Sequence, residues 1–253
     1  MRGIEERDDI IEGRNTVIEA LRAGVSIDKV FIAKGDTDKT LRHIASKARE
    51  AGAVVVEADK RKLDQMSVTH SHQGVIAMVP SAEYVSVEDI LAIAESRGEK
   101  PLMVLCDGIS DPHNLGAIIR SCEAASAHGV IIPKRRSAGL SAIVAKTSGG
   151  AVFHTAVSRV ANLSATIKEL KSRGVWVVGA CADAKTAIWD ADFTVPTALV
   201  IGSEGSGIGR LVGEGCDYMV KIPMTGKLSS LNASVSTGIC LFEAKRQRTV
   251  GDL

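Results

Sequence analysis

Three short stretches of this 253-residue chain hold the residues whose types and spacing could do chemistry: "DPHNLGAIIR", "GSEGSG" and "SSLNAS". In the first, Asn114 opens an apolar run and Arg120 follows six residues later. An arginine among neighbours such as "LGAII" needs an anionic partner wherever it is partly buried. In the second, Gly202, Ser203, Glu204 and Gly205 come straight after the apolar run "TALVI". Glycines at that point let a ligand approach the backbone closely. In the third, Ser230 and Asn232 belong to a hydroxyl-rich run larger than one helix cap requires. Each residue also has a plain structural explanation. Asn114, Glu204 and Asn232 could cap helices, and Arg120 could lie on a solvated face.

The elements that must position these residues can be read from the apolar pattern. From about residue 13, "NTVIEALRAG" predicts a helix closed by Gly24 and "KVFIAKG" a short buried strand. "TDKTLRHIASKAREAG" predicts a second amphipathic helix. A strand "AVVVEA", a short helix "KRKLDQMS" and a strand "QGVIAMVP" complete a first α/β block. Residues 81–100 read as a connector with one helix, so the expected division is 1–80, 81–100 and 101–253. From Pro101 onward, strands "LMVLCDG", "VIIPK", "TAVSRV", "VWVVGA", "TALVIGS" and "YMVKIPM" are interleaved with helices. The last helix is "NASVSTGICLFEAKRQR". Continuous apolar strands alternating with helices imply a parallel sheet covered on both faces. In such a sheet, ligands bind at the carboxyl ends of the strands, where all three stretches fall.

Composition narrows the function classes. Lys+Arg at 31 against Asp+Glu at 30 leaves a net charge of +1, so any nucleic-acid contact rests on local patches rather than a global field. Aromatics at 3% argue against a base-stacking platform. The candidate phosphate contacts are "KRR" at 134–136, Arg14, Arg22 and Lys34. Five well-separated cysteines without a C-x-x-C pair fit a reducing compartment and give no metal signature. His70 and His72, with no carboxylate or Cys nearby in sequence, read as ordinary loop histidines. The charged start "MRGIEERDDIIEGR" lacks an apolar signal core, and no run is long enough for a membrane span, so a cytoplasmic protein is expected. There is no G-x-G-x-x-G and no G-x-x-x-x-G-K-[ST]. That disfavours a dinucleotide dehydrogenase and excludes a P-loop ATPase.

In this order the three stretches resemble the motifs of the SpoU/TrmH class of SPOUT RNA 2′-O-ribose methyltransferases. "DPHNLGAIIR" resembles the class's D-P-x-N-x-G-x-x-x-R signature, "GSEG" its G-x-E-G pattern and "SLNAS" its S-L-N-x-S motif. "EGRNTVIEALRAG" and "HQGVIAMV" resemble the class's N-terminal, L30e-like RNA substrate-binding domain. The tail "STGICLFEAKRQR" and the loop "IPMTGKLSSLN" are most similar to the enzymes that methylate a guanosine 2′-hydroxyl in 23S (large-subunit) rRNA. Ala233 stands where the class usually has Val, and Ser236-Thr237 is more polar than its usual V-A-T.

The resemblance implies a C-terminal SPOUT α/β domain with a deep trefoil knot and a homodimer through the catalytic domains. It implies S-adenosyl-L-methionine as cofactor and no metal. Gly202, Ile222 and Leu231 would hold the cofactor, with Met224 nearby. Asn114, Arg120, Glu204, Ser230 and Asn232 match the functional residues of the class. Arg120 has been assigned as the base there. Because a guanidinium keeps its proton in proteins, a phosphate clamp and stabiliser of the developing alkoxide suits it better. Glu204 would then orient Arg120 or relay the proton. The alternatives are a tRNA substrate and a non-catalytic ribosome- or RNA-binding protein. The four residues Asn114, Arg120, Glu204 and Asn232, all intact, count against the latter.

Overall fold

The computed structural model describes residues 10–35, 38–79, 83–228 and 230–250, which fall into two compact units. The charged residues 1–9, Ser81 and Ala82 at the head of the expected connector and Ser229 in the hydroxyl run lie outside the described residues.

The first unit runs β1 (Ile10–Glu12), α1 (Arg14–Arg22), β2 (Lys29–Ala33), α2 (Lys39–Glu50), β3 (Val54–Ala58), α3 (Lys60–Met66) and β4 (Val75–Met78). The sheet order is β1-β4-β2-β3, with only β2 and β3 parallel. Helix α2 forms because Leu41, Ile44 and Ala48 recur on one buried face and Asp38 accepts from the Thr40 N–H at 2.7 Å. The chain leaves α1 through Gly24 at φ 70°, a conformation glycine adopts freely. Strand β1 was not expected, being three residues long. It carries the fully buried Glu12, which accepts from the Thr69 N–H at 2.5 Å and from the Ser67 hydroxyl.

Two of the expected readings change here. His72 is buried, and its Nε2 lies 3.0 Å from Asp64 on α3 while its Nδ1 accepts from the Gly74 N–H. The carboxylate it needs is eight residues back and is delivered by the helix. Arg14, a candidate phosphate contact, commits its guanidinium to Asp38 at 2.6 Å and to the Gln73 carbonyl at 3.1 Å. Arg22 is paired with Glu19 at 2.6 Å. Lys34 and residues 134–136 are exposed.

After the first unit's strands come α4 (Val87–Ser96), β5 (Leu102–Asp107), α5 (Pro112–Ala124), β6 (Gly129–Pro133), α6 (Ala142–Thr147), β7 (Val157–Val160) and α7 (Leu163–Ser172). Then follow β8 (Trp176–Ala180), β9 (Thr186–Ala187), β10 (Thr197–Gly202), α8 (Arg210–Gly215), β11 (Tyr218–Lys221) and α9 (Ala233–Val250). All seven strands from β5 onward pair in parallel, in the order β7-β6-β5-β10-β8-β11-β9. Met103, Leu105 and Val200 pack against Ile90 of α4 and Ile167 and Leu170 of α7. Helices α5 and α9 pack together, with Gly238 set against the Ser121 hydroxyl.

The expected connector is therefore not a free linker. Val87 and Ile90 of α4 belong to the core of the second unit, which begins at Tyr84. Conversely, Gly139–His154, lying between β6 and β7 in sequence, belongs to the first unit. There Lys146 donates to the Thr69 hydroxyl at 2.7 Å and to the Ser71 carbonyl. Gly150 sits so close to Glu19 of α1 that a Cβ would overlap it, and His154 pairs with Glu19 at 3.2 Å.

Candidate active site

The sheet order reverses between β5 and β10. From β5 the chain moves outward through β6 to β7, while β8, β10, β11 and β9 occupy the other side. Such a reversal leaves a crevice at the carboxyl ends of the strands, where open parallel sheets take up ligands. Asp107 and Gly202, the last residues of the two central strands, are register partners. The loops from β5 to α5, from β10 to α8 and from β11 to α9 all start at this end of the sheet.

Each loop is built to aim one side chain. In the first, Asp111 is the helix cap, accepting from the His113 N–H at 2.8 Å, and Pro112 takes the first helical position. Asn114 therefore sits inside α5 with its side chain unneeded for capping. In the second, the chain folds back so tightly that a Cβ on Gly202 would run into the backbone of Gly207 and Ile208. Ser203 and Gly207 exchange backbone hydrogen bonds at 3.1 and 2.9 Å, which closes a small turn with Glu204 in it. Asp107 accepts from the Gly209 N–H at 2.7 Å and ties that turn to the end of β5. In the third, the Asn232 Oδ1 accepts from the Ser234 N–H at 2.9 Å and the Val235 N–H at 3.3 Å, capping α9.

The three side chains meet. Asn114 donates through Nδ2 to Glu204 Oε1 at 3.1 Å. The Asn232 Nδ2 donates to Asn114 Oδ1 at 2.9 Å and also to Glu204 Oε1. Asn232 thus caps with its oxygen and binds the other two loops with its nitrogen. Among the described residues, the hydrogen-bonded partners of the Glu204 side chain are the two asparagines. Arg120 is exposed on α5 and makes no hydrogen bond or ion pair with any described residue.

Beside this cluster lies a cleft of about 400 Å³, within the range of small-molecule sites. Ile201, Ile208, Val220, Ile222 and Leu231 give it apolar walls, and Gly202, Met224 and Ser230 line it as well. All four residues expected to hold a cofactor therefore share one cleft. Sequence reasoning missed a further wall, Ala180–Asp183. The signal was present: "VWVVGA" is a strand of the same sheet, so the loop after it also starts at the binding end. Three cysteines lie near these elements without being available as nucleophiles. Burial pushes the Cys106 and Cys240 thiols up to about 12 and Cys122 well above the usual range.

Residues 101–242 match the SpoU rRNA Methylase family. Residues 10–85 match a second family, described as RNA 2'-O ribose methyltransferase substrate binding. YacO of Bacillus subtilis (strain 168), named as a TrmH family tRNA/rRNA methyltransferase, is 44% identical over 245 residues, covering 97% of this chain and 98% of that protein. The SpoU methyltransferase AviRb from Streptomyces viridochromogenes, crystallised in complex with the cofactor AdoMet, superposes with a TM-score of 0.80 at 27% identity. That match covers 96% of this chain and 91% of AviRb. An AdoMet-bound rRNA methyltransferase from Sinorhizobium meliloti superposes with a TM-score of 0.74 at 25% identity, covering 94% and 86% of the two chains. Sequence, sheet order and the order of the three loops agree: this chain belongs to the SpoU rRNA methylase family, RNA methyltransferases of the SpoU/TrmH class.

Proposed function

We propose that the protein methylates a ribose 2′-hydroxyl, that of a guanosine in 23S rRNA, with S-adenosylmethionine as donor. The observation that carries this reading is the Asn114–Glu204–Asn232 cluster, set at the sheet reversal beside the apolar cleft. The cleft fits the donor: it has apolar walls, as a purine requires, and Gly202, Ile222 and Leu231, the residues expected to hold the donor, all line it. When bound, the donor supplies an electrophilic methyl group on a sulfonium. The residues of the chain then align the hydroxyl and take its proton. Alignment of this kind is worth at most about 7–11 kcal/mol.

In this reading the two amides fix the Glu204 carboxylate in one orientation, from which it accepts the 2′-hydroxyl proton and passes it to water. Arg120, with no partner among the described residues, takes an RNA phosphate and stabilises the developing alkoxide. Ser230, on the cleft wall, hydrogen-bonds the substrate. Membership of the class carries with it the trefoil knot expected at the C-terminal end of the catalytic unit. The first unit selects the RNA, since a 2′-hydroxyl is present on every nucleotide and unpaired loops are what sequence-specific RNA binders read. The catalytic unit dimerises through α9, where Val235 (50%) and Phe242 (52%) are exposed seven residues apart on one face.

The full-length likeness to a protein named as an rRNA methyltransferase favours rRNA, whereas the name of YacO admits tRNA as well. The deciding experiment offers unmodified 23S rRNA and bulk tRNA with tritiated donor and maps the modified nucleotide by primer extension. One labelled guanosine in 23S rRNA is the expected result. Label in tRNA alone would move the substrate and leave the chemistry in place.

A further inference from the structure

The cleft carries charge of one sign. Asp183 and Glu204 line it, and among the described residues no lysine, arginine or histidine does. Glu204 is engaged by the two asparagine amides. Asp183 is different. It lies exposed on the loop after β8 and makes no hydrogen bond or ion pair with any described residue. Cys181 and Ala182 beside it would complete the wall without a charge. A carboxylate with no partner among the described residues, on the wall of a cleft that has apolar sides and no lining cation, suits an occupant that is positive.

This inference rests on the donor proposed above. S-adenosylmethionine bears a sulfonium and an ammonium against one carboxylate, leaving one net positive charge. S-adenosylhomocysteine differs from it by a methyl cation and has no net charge. An anionic cleft therefore attracts the two unequally. We infer that Asp183 is a further cofactor-binding residue whose carboxylate favours the cationic donor over the neutral spent cofactor, so that the cleft itself discriminates reactant from product. The attraction that holds the donor weakens once the methyl has left, which helps the product leave.

The test compares three ligands on the full chain by calorimetric titration: S-adenosylmethionine, S-adenosylhomocysteine and sinefungin, whose amine places a cation where the sulfonium stands. Asp183→Asn should weaken S-adenosylmethionine and sinefungin by about three- to fivefold, the size of a partly exposed charge pair, and leave S-adenosylhomocysteine unchanged. Asp183→Glu should restore the preference, and raising salt to about 0.5 M should shrink it in the unsubstituted protein. Equal weakening of all three ligands by Asp183→Asn, or of none, would overturn the assignment. An unsubstituted chain that binds none of the three would instead overturn the cofactor reading itself, and so the two failures are told apart.

Discussion

The carboxamide of Asn232 caps α9 with its oxygen and joins Asn114 and Glu204 with its nitrogen, so substitutions can separate the two roles. Asn232→Asp keeps an acceptor at the cap and adds favourable charge at a helix N-terminus. It removes the donor, however, and sets a second carboxylate against Glu204. Thermal stability should stay close to that of the unsubstituted protein while single-turnover methyl transfer falls by about 10²-fold or more. Asn232→Ala loses both roles and should also cost about 1 kcal/mol in urea unfolding. An aspartate variant with normal turnover would show that the cluster is only a cap. Arg120 gives a complementary case, because it lines no part of the cleft. Arg120→Ala should leave calorimetric affinity for S-adenosylhomocysteine unchanged and lower methyl transfer by about 10²–10³-fold. Arg120→Lys should not rescue it, since a point charge cannot replace the guanidinium fork on a phosphate.

At the scale of elements, the turn after β10 depends on the missing side chain of Gly202. Gly202→Ala places a methyl inside the backbone of Gly207 and Ile208, so the turn must open and Glu204 must leave its amides. Both cofactor affinity, by calorimetry, and methyl transfer should be lost, with the far-ultraviolet circular dichroism preserved. Much of this level was legible in the sequence. The apolar runs of β5, β6, β8 and β10 and the face of α2 announce themselves, because burial on both sides of a strand or one side of a helix fixes the pattern. So do the three loops, because strand ends in a parallel sheet are where such residues gather. What stayed hidden was set by pairing over long distances. Strand β1 is recognisable only by its register with β4, and β9 only by its two-residue pairing with β11. Asp107 looked like the end of a strand, and its bond to Gly209 spans 102 positions. Helix α4 had an apolar face, yet nothing local said which unit it would cover.

For the whole molecule, acid sensitivity follows from His128, the residue before β6. Its side chain is buried, accepts from the Leu102 N–H at 3.0 Å and meets Glu99 at 3.0 Å. Burial, outweighing the pull of Glu99, holds it below the usual histidine value of 6.5. A folded-state value below the unfolded one means that the unfolded chain binds the extra proton. The contribution is complete above about pH 6.5 and is lost as pH falls through the folded value. Thermal melts between pH 7.5 and about 5 should show stability falling with acid, and His128→Gln should flatten that slope. The assignment of Gly139–His154 to the first unit reaches further, into the order of synthesis. A chain emerging from the ribosome presents Gly13, Glu19 and Thr69 early, but their partners Lys146 and Gly150 come roughly seventy or more residues later, after β5 and β6 have already been made. At about 5–20 residues per second, the first unit waits several seconds for its last piece. Nascent chains stalled short of residue 139 should therefore be cleaved readily by protease within their first 83 residues, and chains stalled with residue 154 outside the ribosome should resist. The beginning of the protein finishes folding only once its middle has been read.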